Sequence, residues 1–414
     1  MVYVAVLGYG TVGSGVVEVI EENKDLIAVR AMEELDVKYI LDLREFPGDP
    51  YESKIVHDVN VILDAPEVKV VCETMGGVGA AYQFSKAALE RGKSVCTSNK
   101  ELVAKHGPEL LRLAKEHNCN YFFEASVGGG IPIIRPIARS LTAERILRVV
   151  GILNGTTNYI LTKMDKEGAE FDATLKEAQD LGYAERNPEA DIEGHDAARK
   201  IAILSCMMTD HFVDSEKVYT EGISKITPAD FAFAKSLGCT IRLLGMSCLM
   251  EDASNPGSYS DDLLNVMVAP FFVPLECPLA MVSDVFNGIL VTGNMVGETM
   301  YYGKGAGKLP TASAVVSDVV DAARHPGKHV PGGWDDTAAS LADVTECERT
   351  FFLRLTPAGL EAAKDLLPGG RVVTAQGTGD AGYVTPKMKE KDFDEKAAKL
   401  GDALLGRIRM LESV

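Results

Sequence analysis

The chain opens on a strand-length apolar run, Val2-Tyr3-Val4-Ala5-Val6-Leu7, and passes directly into Gly8-Tyr9-Gly10-Thr11-Val12-Gly13. A helical pattern follows from Val12 to about Glu22, with Val16, Val17, Val19 and Ile20 on its apolar side. A GxGxxG turn set between a buried strand and a helix is the tightest constraint on what this chain can fold into. Gly8 permits the tight turn, Gly10 lets the backbone approach a pyrophosphate, and Gly13 lets the helix pack close to the sheet. Free N–H groups and the dipole at the helix start favour an anion. The expected element is the first strand, turn and helix of a dinucleotide-binding sheet, with Gly8, Gly10, Thr11, Val12 and Gly13 at the nucleotide. A glycine turn serving packing alone is the alternative.

Further alternation supports a mostly parallel sheet with ligands at the strand C-termini. Strands are expected at Val37–Leu41, Lys69–Glu73, Ser94–Thr97 and Asn120–Glu124, with helices from Ala80 to Arg91 and from about Lys100 to His117. Three strand ends carry polar or glycine-rich sequence: Thr74-Met75-Gly76-Gly77, Thr97-Ser98-Asn99-Lys100, and Glu124-Ala125-Ser126-Val127-Gly128-Gly129-Gly130. The strand at Val37–Leu41 ends at Asp42, with Arg44 two residues later. An acidic residue there takes a ribose 2′-OH and favours NAD, whereas Arg44 suits a 2′-phosphate and favours NADP. Sequence leaves both open, along with a plain solvated Asp and Arg.

Beyond residue 145 the pattern changes to long strands at Ile146–Leu153, Thr240–Leu249, Leu264–Val273 and Ser283–Thr292, which read as a second, α+β domain with a mostly antiparallel sheet. Val330–Asp336 reads as a linker. After it come strand (Phe351–Leu355), helix (Leu360–Leu366), strands (Arg371–Gln376, Gly382–Lys387), helix (Phe393–Leu405) and strand (Arg407–Leu411). That order is βαββαβ, the ferredoxin-like plan.

Of 414 residues, 42 are basic and 60 acidic, a formal charge of −18. This balance argues against a nucleic-acid partner and against an anionic membrane surface, both of which need basic clusters. No apolar run reaches the roughly 18 residues of a membrane span. The N-terminus lacks a basic region and a cleavage site, so it is not expected to be a signal peptide. The eight cysteines are dispersed without a CxxC pair and read as reduced packing thiols. A cytoplasmic enzyme or binding protein fits these features.

Within residues 177–200 a helix ends at Gly182, an acidic stretch holds Glu185 and Asp191, and a new helix starts near His195. Asp196 and Lys200 are i, i+4 and share a face. A lysine one turn from an aspartate on an apolar helix can hold and present a proton. Spacing alone equally describes a surface ion pair worth about 0.3–0.5 kcal/mol.

Over residues 1–325 the chain resembles the homoserine dehydrogenases. The matching pieces are the first glycine turn, Thr97-Ser98-Asn99-Lys100, Glu124 to Pro132, Gly151 to Ile160, Leu181-Gly182-Tyr183-Ala184-Glu185, Asp191 to Lys200, and Gly303-Lys304-Gly305-Ala306-Gly307 with Pro310-Thr311-Ala312. The resemblance implies interconversion of L-aspartate 4-semialdehyde and L-homoserine with NADP or NAD, in threonine, methionine and isoleucine biosynthesis. It leans the cofactor choice to NADP. It implies Lys200 as proton donor, Lys100 as a second lysine at nicotinamide and substrate, and Glu185, Asp191 and Asp196 as substrate-binding acids. It places Gly182 and Gly305 at the cofactor. It implies a monovalent cation, Na+ or K+, on Glu124 and the carbonyls of Val127, Gly129 and Ile131. His195 receives no catalytic role.

The resemblance also divides the chain. Residues 1–145 with about 305–330 form a Rossmann-type domain, 146–304 a substrate and dimerisation domain, and 346–414 an ACT-like domain. A homodimer or homotetramer is implied. In many relatives an ACT domain senses threonine through an Asp-x-Pro-Gly loop after its first strand. This chain has Thr356-Pro357-Ala358-Gly359-Leu360 there, so strong threonine inhibition is not expected. Asn187 stands where an Asp is common. The alternatives are a catalytically silent amino-acid-binding homologue, and an oxidoreductase for another amino aldehyde. The joint presence of Lys100, Glu185, Asp191, Asp196 and Lys200 speaks against the silent homologue.

Overall fold

The computed structural model describes residues 1–252, 254–255 and 257–412. They form two compact units. The first holds Met1–Glu144, Ala202–Ser215 and Gly303–Ala339; the second holds Arg145–Ile201, Glu216–Tyr302 and the chain from Ser340 onward.

In the first unit six strands make one parallel sheet, in the spatial order Ile55–Val56, Leu35–Leu41, Val2–Leu7, Val68–Glu73, Ser94–Thr97, Tyr121–Phe122. The order reverses beside Val2–Leu7, and ligands of such sheets bind outside the strand C-termini at that reversal. Helices cover both faces of a parallel sheet, which is why Val4, Ala5, Val6 and Leu7 are all buried and the run does not alternate. The helix Thr11–Glu22 buries Val16, Val17 and Ile20 in the same core as Val315, Val316 and Val319 of the helix Lys308–Arg324. Gly15 makes this packing possible. A Cβ on it would come within 3.0 Å of the Lys308 carbonyl oxygen and of Ala312 Cβ.

Two expectations for this unit change. The strand expected at Asn120–Glu124 is only Tyr121–Phe122, because Glu124 leaves the sheet in a 3-10 turn, Glu124–Ser126, and caps the backbone at residues 133–135. The stretch Val330–Asp336 is a strap rather than a loose linker. The Val330 N–H donates to Asn120 Oδ1 at 2.8 Å, and the buried Trp334 ring packs 5.3 Å from Phe123. It also covers Gly107, where a Cβ would come 2.6 Å from the indole.

The second unit is built on a mixed sheet. Its spatial order is Gly297–Lys304, Phe286–Gly293, Ile146–Ile152, Cys239–Glu251, Tyr259–Pro274, Leu404–Met410, Phe351–Leu355, Ala381–Val384, Arg371–Val373. Pairing is antiparallel from Phe286–Gly293 through Tyr259–Pro274. The strand expected from Ser283 starts at Phe286. Asn158 Nδ2 donates to the carbonyls of Val282, Asp284 and Phe286, and Asp284 sits at φ +58°, so the chain before Phe286 is held as a turn. Gly297–Lys304 was not anticipated; it is half-exposed and carries no continuous apolar run.

The C-terminal strands and helices follow the expected βαββαβ order, with antiparallel neighbours arranged 4-1-3-2. Their core joins Phe351, Leu353, Leu355, Tyr383 and Phe393, with the rings of Phe351 and Phe393 stacked 3.9 Å apart. Three boundaries move. Arg371–Gln376 ends at Val373, Gly382–Lys387 becomes Ala381–Val384, and the helix expected over Phe393–Leu405 is Glu390–Ala397 followed by a 3-10 turn. Gly401, at φ +51°, breaks that helix.

These strands do not form a sheet of their own. Leu404–Met410 lies parallel to Tyr259–Pro274, with Phe271 opposite Arg409 and Phe272 opposite Met410. Residues 346–412 therefore continue the sheet of the second unit, where a separate third domain over 346–414 was expected. A βαββαβ unit by itself leaves two edge strands unpaired. One edge is occupied within the chain, and the three-residue strand Arg371–Val373 is the end that remains.

Candidate active site

The glycine turn has the geometry its spacing demands. Gly8 has φ +90°, and a Cβ on Gly13 would lie 1.9 Å from the Gly8 carbonyl oxygen, so no side chain fits there. A Cβ on Gly10 would meet nothing within 4 Å. Packing thus explains Gly13, while Gly10 keeps an open backbone facing solvent. Thr11 and Val12 form the first helical turn. A cavity of about 680 Å³ opens over this turn, lined by Gly10, Thr11, Ser14, Arg44, Tyr51 and Lys308.

Asp42 and Arg44 act together at its edge. The carboxylate accepts from the Tyr9 N–H at 2.9 Å, from the Arg44 N–H and Nε at 3.0 Å each, and from Arg44 Nη2 at 2.9 Å. These donors, the Arg44 side chain first, hold Asp42 well below the usual carboxylate range. The Arg44 side chain itself is 63% exposed at the cavity rim. Glu18, Glu21, Glu22 and Asp49 line the same cavity, and Lys308 pairs with Glu18 at 2.5 Å.

After the strand Ser94–Thr97, Lys100 is the first residue of the helix Lys100–Glu116. Asn99 caps that helix, its Oδ1 accepting from the Leu102 N–H at 3.1 Å.

The Glu124 loop is tightly built. Glu124 Oε1 accepts from the N–H groups of Ile133 (2.6 Å) and Ile134 (2.9 Å), and Oε2 from that of Arg135 (2.7 Å). The carboxylate is therefore a backbone cap. Gly128 and Gly129 are both at positive φ, and the Ile131 N–H closes the turn on the Gly128 carbonyl at 2.9 Å. Among the described residues no hydrogen bond reaches the carbonyl oxygens of Val127, Gly129 or Ile131, although these residues are buried. Buried carbonyls without donors suit a hard cation, since buried polar groups are otherwise paired. Gly305 lies against this loop: a Cβ on Gly129 would come 2.4 Å from the Gly305 carbonyl oxygen.

In the second unit the helix starting at His195 brings Asp196 and Lys200 together. Lys200 Nζ donates to Asp196 Oδ2 and to the Leu153 carbonyl, each at 2.7 Å. The two side chains are 11% and 6% exposed, so this is a buried pair and not the surface pair that spacing also allowed. A buried ion pair gains little stability over an apolar pair, because desolvation offsets the attraction. Its presence points to chemistry.

Asn154, which sequence reading did not single out, completes the group. Its Nδ2 donates to Asp191 Oδ1 at 2.7 Å and to Asp196 Oδ2 at 2.9 Å, while its Oδ1 caps the helix Gly155–Glu167. The available signal was an Asn directly after a buried strand and before a helix, where one side chain can both cap and reach across. Glu185 stands exposed, and its backbone carbonyl accepts from Gln179. Gly182, at φ +77°, ends the preceding helical turn, and His195 is exposed.

With this geometry in hand, comparison with known proteins is direct. Residues 8–124 match the family model described as "Homoserine dehydrogenase, NAD binding domain". The parallel sheet with its open glycine turn, together with that match, makes the chain a nicotinamide-nucleotide-dependent oxidoreductase. Residues 132–320 match the model described as "Homoserine dehydrogenase". The homoserine dehydrogenase of Bacillus subtilis is 45% identical over 320 residues, covering 77% of this chain and 72% of its own. The chain belongs to the homoserine dehydrogenase family. Among solved structures, the enzyme of Thiobacillus denitrificans superposes with a TM-score of 0.88 at 36% identity, over 99% of this chain and 98% of that one. A hyperthermophilic archaeal homoserine dehydrogenase mutant in complex with NADPH superposes with a TM-score of 0.63 at 28% identity, over 78% of this chain and 97% of that one.

Proposed function

We propose that this chain interconverts L-aspartate 4-semialdehyde and L-homoserine, with Lys200 handling the proton. The observation that carries this is the buried Lys200–Asp196 pair, tied through Asn154 to Asp191, in a member of this family. A nicotinamide nucleotide supplies the hydride for aldehyde reduction and takes it back in the reverse direction. Gly8, Gly10, Thr11, Val12 and Gly13 would hold its pyrophosphate end. Reduction leaves negative charge on the former carbonyl oxygen, which must be met by a proton and a nearby cation. The Lys200 ammonium gives up that proton, and in the reverse direction its amine removes the proton of the homoserine hydroxyl. Asp196 and the Leu153 carbonyl fix Lys200 in place. The substrate's own ammonium is drawn by the carboxylates of Asp191 and Asp196. Lys100 adds positive charge at the end of its strand. The carbonyls of Val127, Gly129 and Ile131 would hold a monovalent cation. Turnover of aspartate semialdehyde with NADPH and with NADH tests the reading, and no turnover with either would end it.

For the cofactor, the reading favours NADP through Arg44, acting against the four carboxylates of the same cavity. Arg44→Ala should lower the NADPH/NADH ratio of kcat/KM by about tenfold to a hundredfold, the worth of a charge-assisted hydrogen bond. An unchanged ratio removes Arg44 from the 2′-phosphate.

The C-terminal turn at Thr356–Gly359 is closed by its neighbours. The Thr356 N–H donates to the Ala403 carbonyl at 2.9 Å, and a Cβ on Gly359 would come 2.7 Å from Ala403 Cβ. The turn also lacks the Asp-x-Pro-Gly sequence through which many relatives sense threonine. Millimolar threonine should therefore leave steady-state rates nearly unchanged, and clear saturable inhibition would contradict this.

A further inference from the structure

Glu73 ends the strand Val68–Glu73, beside the reversal of strand order, and is fully buried. Among the described residues no cation pairs with it. A carboxylate buried without a cation is costly, and an apolar residue would be cheaper if packing were its only task. Burial pushes Glu73 up to about 7 against the pull of its hydrogen bonds.

Its two oxygens reach two different turns. Oε1 accepts from the Met75 N–H at 2.8 Å, in the glycine-rich turn after its own strand. Oε2 accepts from Thr97 Oγ1 at 2.6 Å, at the end of the next strand. Thr97 Oγ1 in turn accepts from the Asn99 N–H at 2.9 Å. Asn99 Nδ2 then donates back to the Gly77 carbonyl at 2.7 Å. The bonds form a closed ring, Glu73 to Thr97 to Asn99 to Gly77 and back along Gly76 and Met75. The directions are consistent. The Thr97 hydroxyl proton goes to the carboxylate, which leaves its lone pair for the Asn99 N–H. Asn99 also caps the helix that begins at Lys100.

We propose that Glu73 is a positioning residue for Lys100: through Thr97 and Asn99 it locks the Met75–Gly77 and Thr97–Lys100 turns into one ring and so fixes where the Lys100 side chain begins. The inference rests on the reading of Lys100 given above. A ring anchored at a strand end determines the first helical residue more closely than a cap alone, because a cap leaves the whole turn free to shift with its helix. Small displacements of a reacting group carry large kinetic effects.

The test uses the full-length enzyme and reads kcat, substrate KM and the nucleotide Kd. Thr97→Val keeps the shape and opens the ring. It should lower kcat by about ten- to hundredfold, the effect of misplacing a reacting group, with KM and nucleotide Kd moved less than about threefold. Thr97→Ser restores the hydroxyl and should recover most of kcat. Glu73→Gln keeps the size but can accept from only one of the Thr97 hydroxyl and the Met75 N–H, so one link of the ring opens, and it should behave like Thr97→Val. Should either variant fail to fold, the other carries the test. In a Lys100→Ala background, Thr97→Val should change kcat by less than about twofold, because residues acting as one unit are not additive. Full kcat in both Thr97→Val and Glu73→Gln overturns the proposal. A lower kcat with equal loss in the Lys100→Ala background also overturns it, since the ring would then act elsewhere. Wild-type kcat in Lys100→Ala alone overturns the reading of Lys100 itself, and the positioning role with it.

Discussion

Lys200→Ala should lower kcat by about 10²–10⁴, the range of a general acid, while the nucleotide Kd stays close to wild type. Two structural reasons set this expectation. The ammonium is held between Asp196 Oδ2 and the Leu153 carbonyl, so its position is fixed before any substrate arrives. It also lies in the second unit, whereas the glycine turn and its cavity belong to the first. The truncation leaves Asp196 buried beside Asn154 with one donor fewer, which also costs some stability. Lys200→Arg keeps a charge but not a readily lost proton, and should not rescue turnover. A Lys200→Ala enzyme with near wild-type kcat would remove the proton-donor role.

Arg409→Leu should destabilise the protein by about 3–5 kcal/mol, the cost of leaving buried charges without their partner. The Arg409 side chain is 1% exposed. It binds both oxygens of the buried Glu390, donates to Glu221 Oε2 at 2.6 Å, and reaches the Tyr219 hydroxyl at 3.1 Å. Burial pushes Glu221 up, but Arg409 and Arg407 outweigh it and hold it below its ordinary value. An acid held low contributes stability above its unfolded-state value and loses it as pH falls through its folded-state value. The variant should therefore lose stability at neutral pH and show a shallower decline on the acid side. Urea unfolding at neutral and at acidic pH reads both effects. A shift below about 1 kcal/mol at neutral pH would show that Arg349 and Arg407, which reach Glu390 at 3.3 and 3.4 Å, compensate for the loss.

The parts of this molecule legible in sequence are those where one local pattern decides. Val2–Gly13 dictates a strand, a turn and a helix start, and Gly13 is confirmed by a contact no side chain survives. Asp196 and Lys200 were readable as one face, but nothing in i, i+4 spacing says whether that face is wet or dry. Burial is decided by the strand Ile146–Ile152 and by Leu153 just after it, far away in sequence. Asn154 and Glu73 escaped notice because each works by reaching across elements. The pairing of Leu404–Met410 was not legible because its partner, Tyr259–Pro274, lies in a different part of the chain. The strap at Val330–Asp336 looked like a linker because Gly and Pro mark irregular backbone whether or not a tryptophan anchors it.

The split of the first unit across the chain also bears on how the protein is made. The core of that unit needs Val315, Val316 and Val319, which lie on the far side of a long insertion from Val16 and Val17. From Glu144 to Gly303 is 303 − 144 = 159 residues. At ribosomal speeds of ~5–20 residues per second, roughly 8–32 s separate the two halves of one core. During that interval the sheet has emerged but the face of helix Thr11–Glu22 that receives helix Lys308–Arg324 has no cover. The nascent chain is then a natural client for a chaperone that binds apolar surface. Ribosome-bound chains stalled after residue 180 should be cut readily by protease within residues 1–144, and chains stalled well past residue 340 should be protected there. Equal protection at both lengths would mean the sheet closes without its last helix.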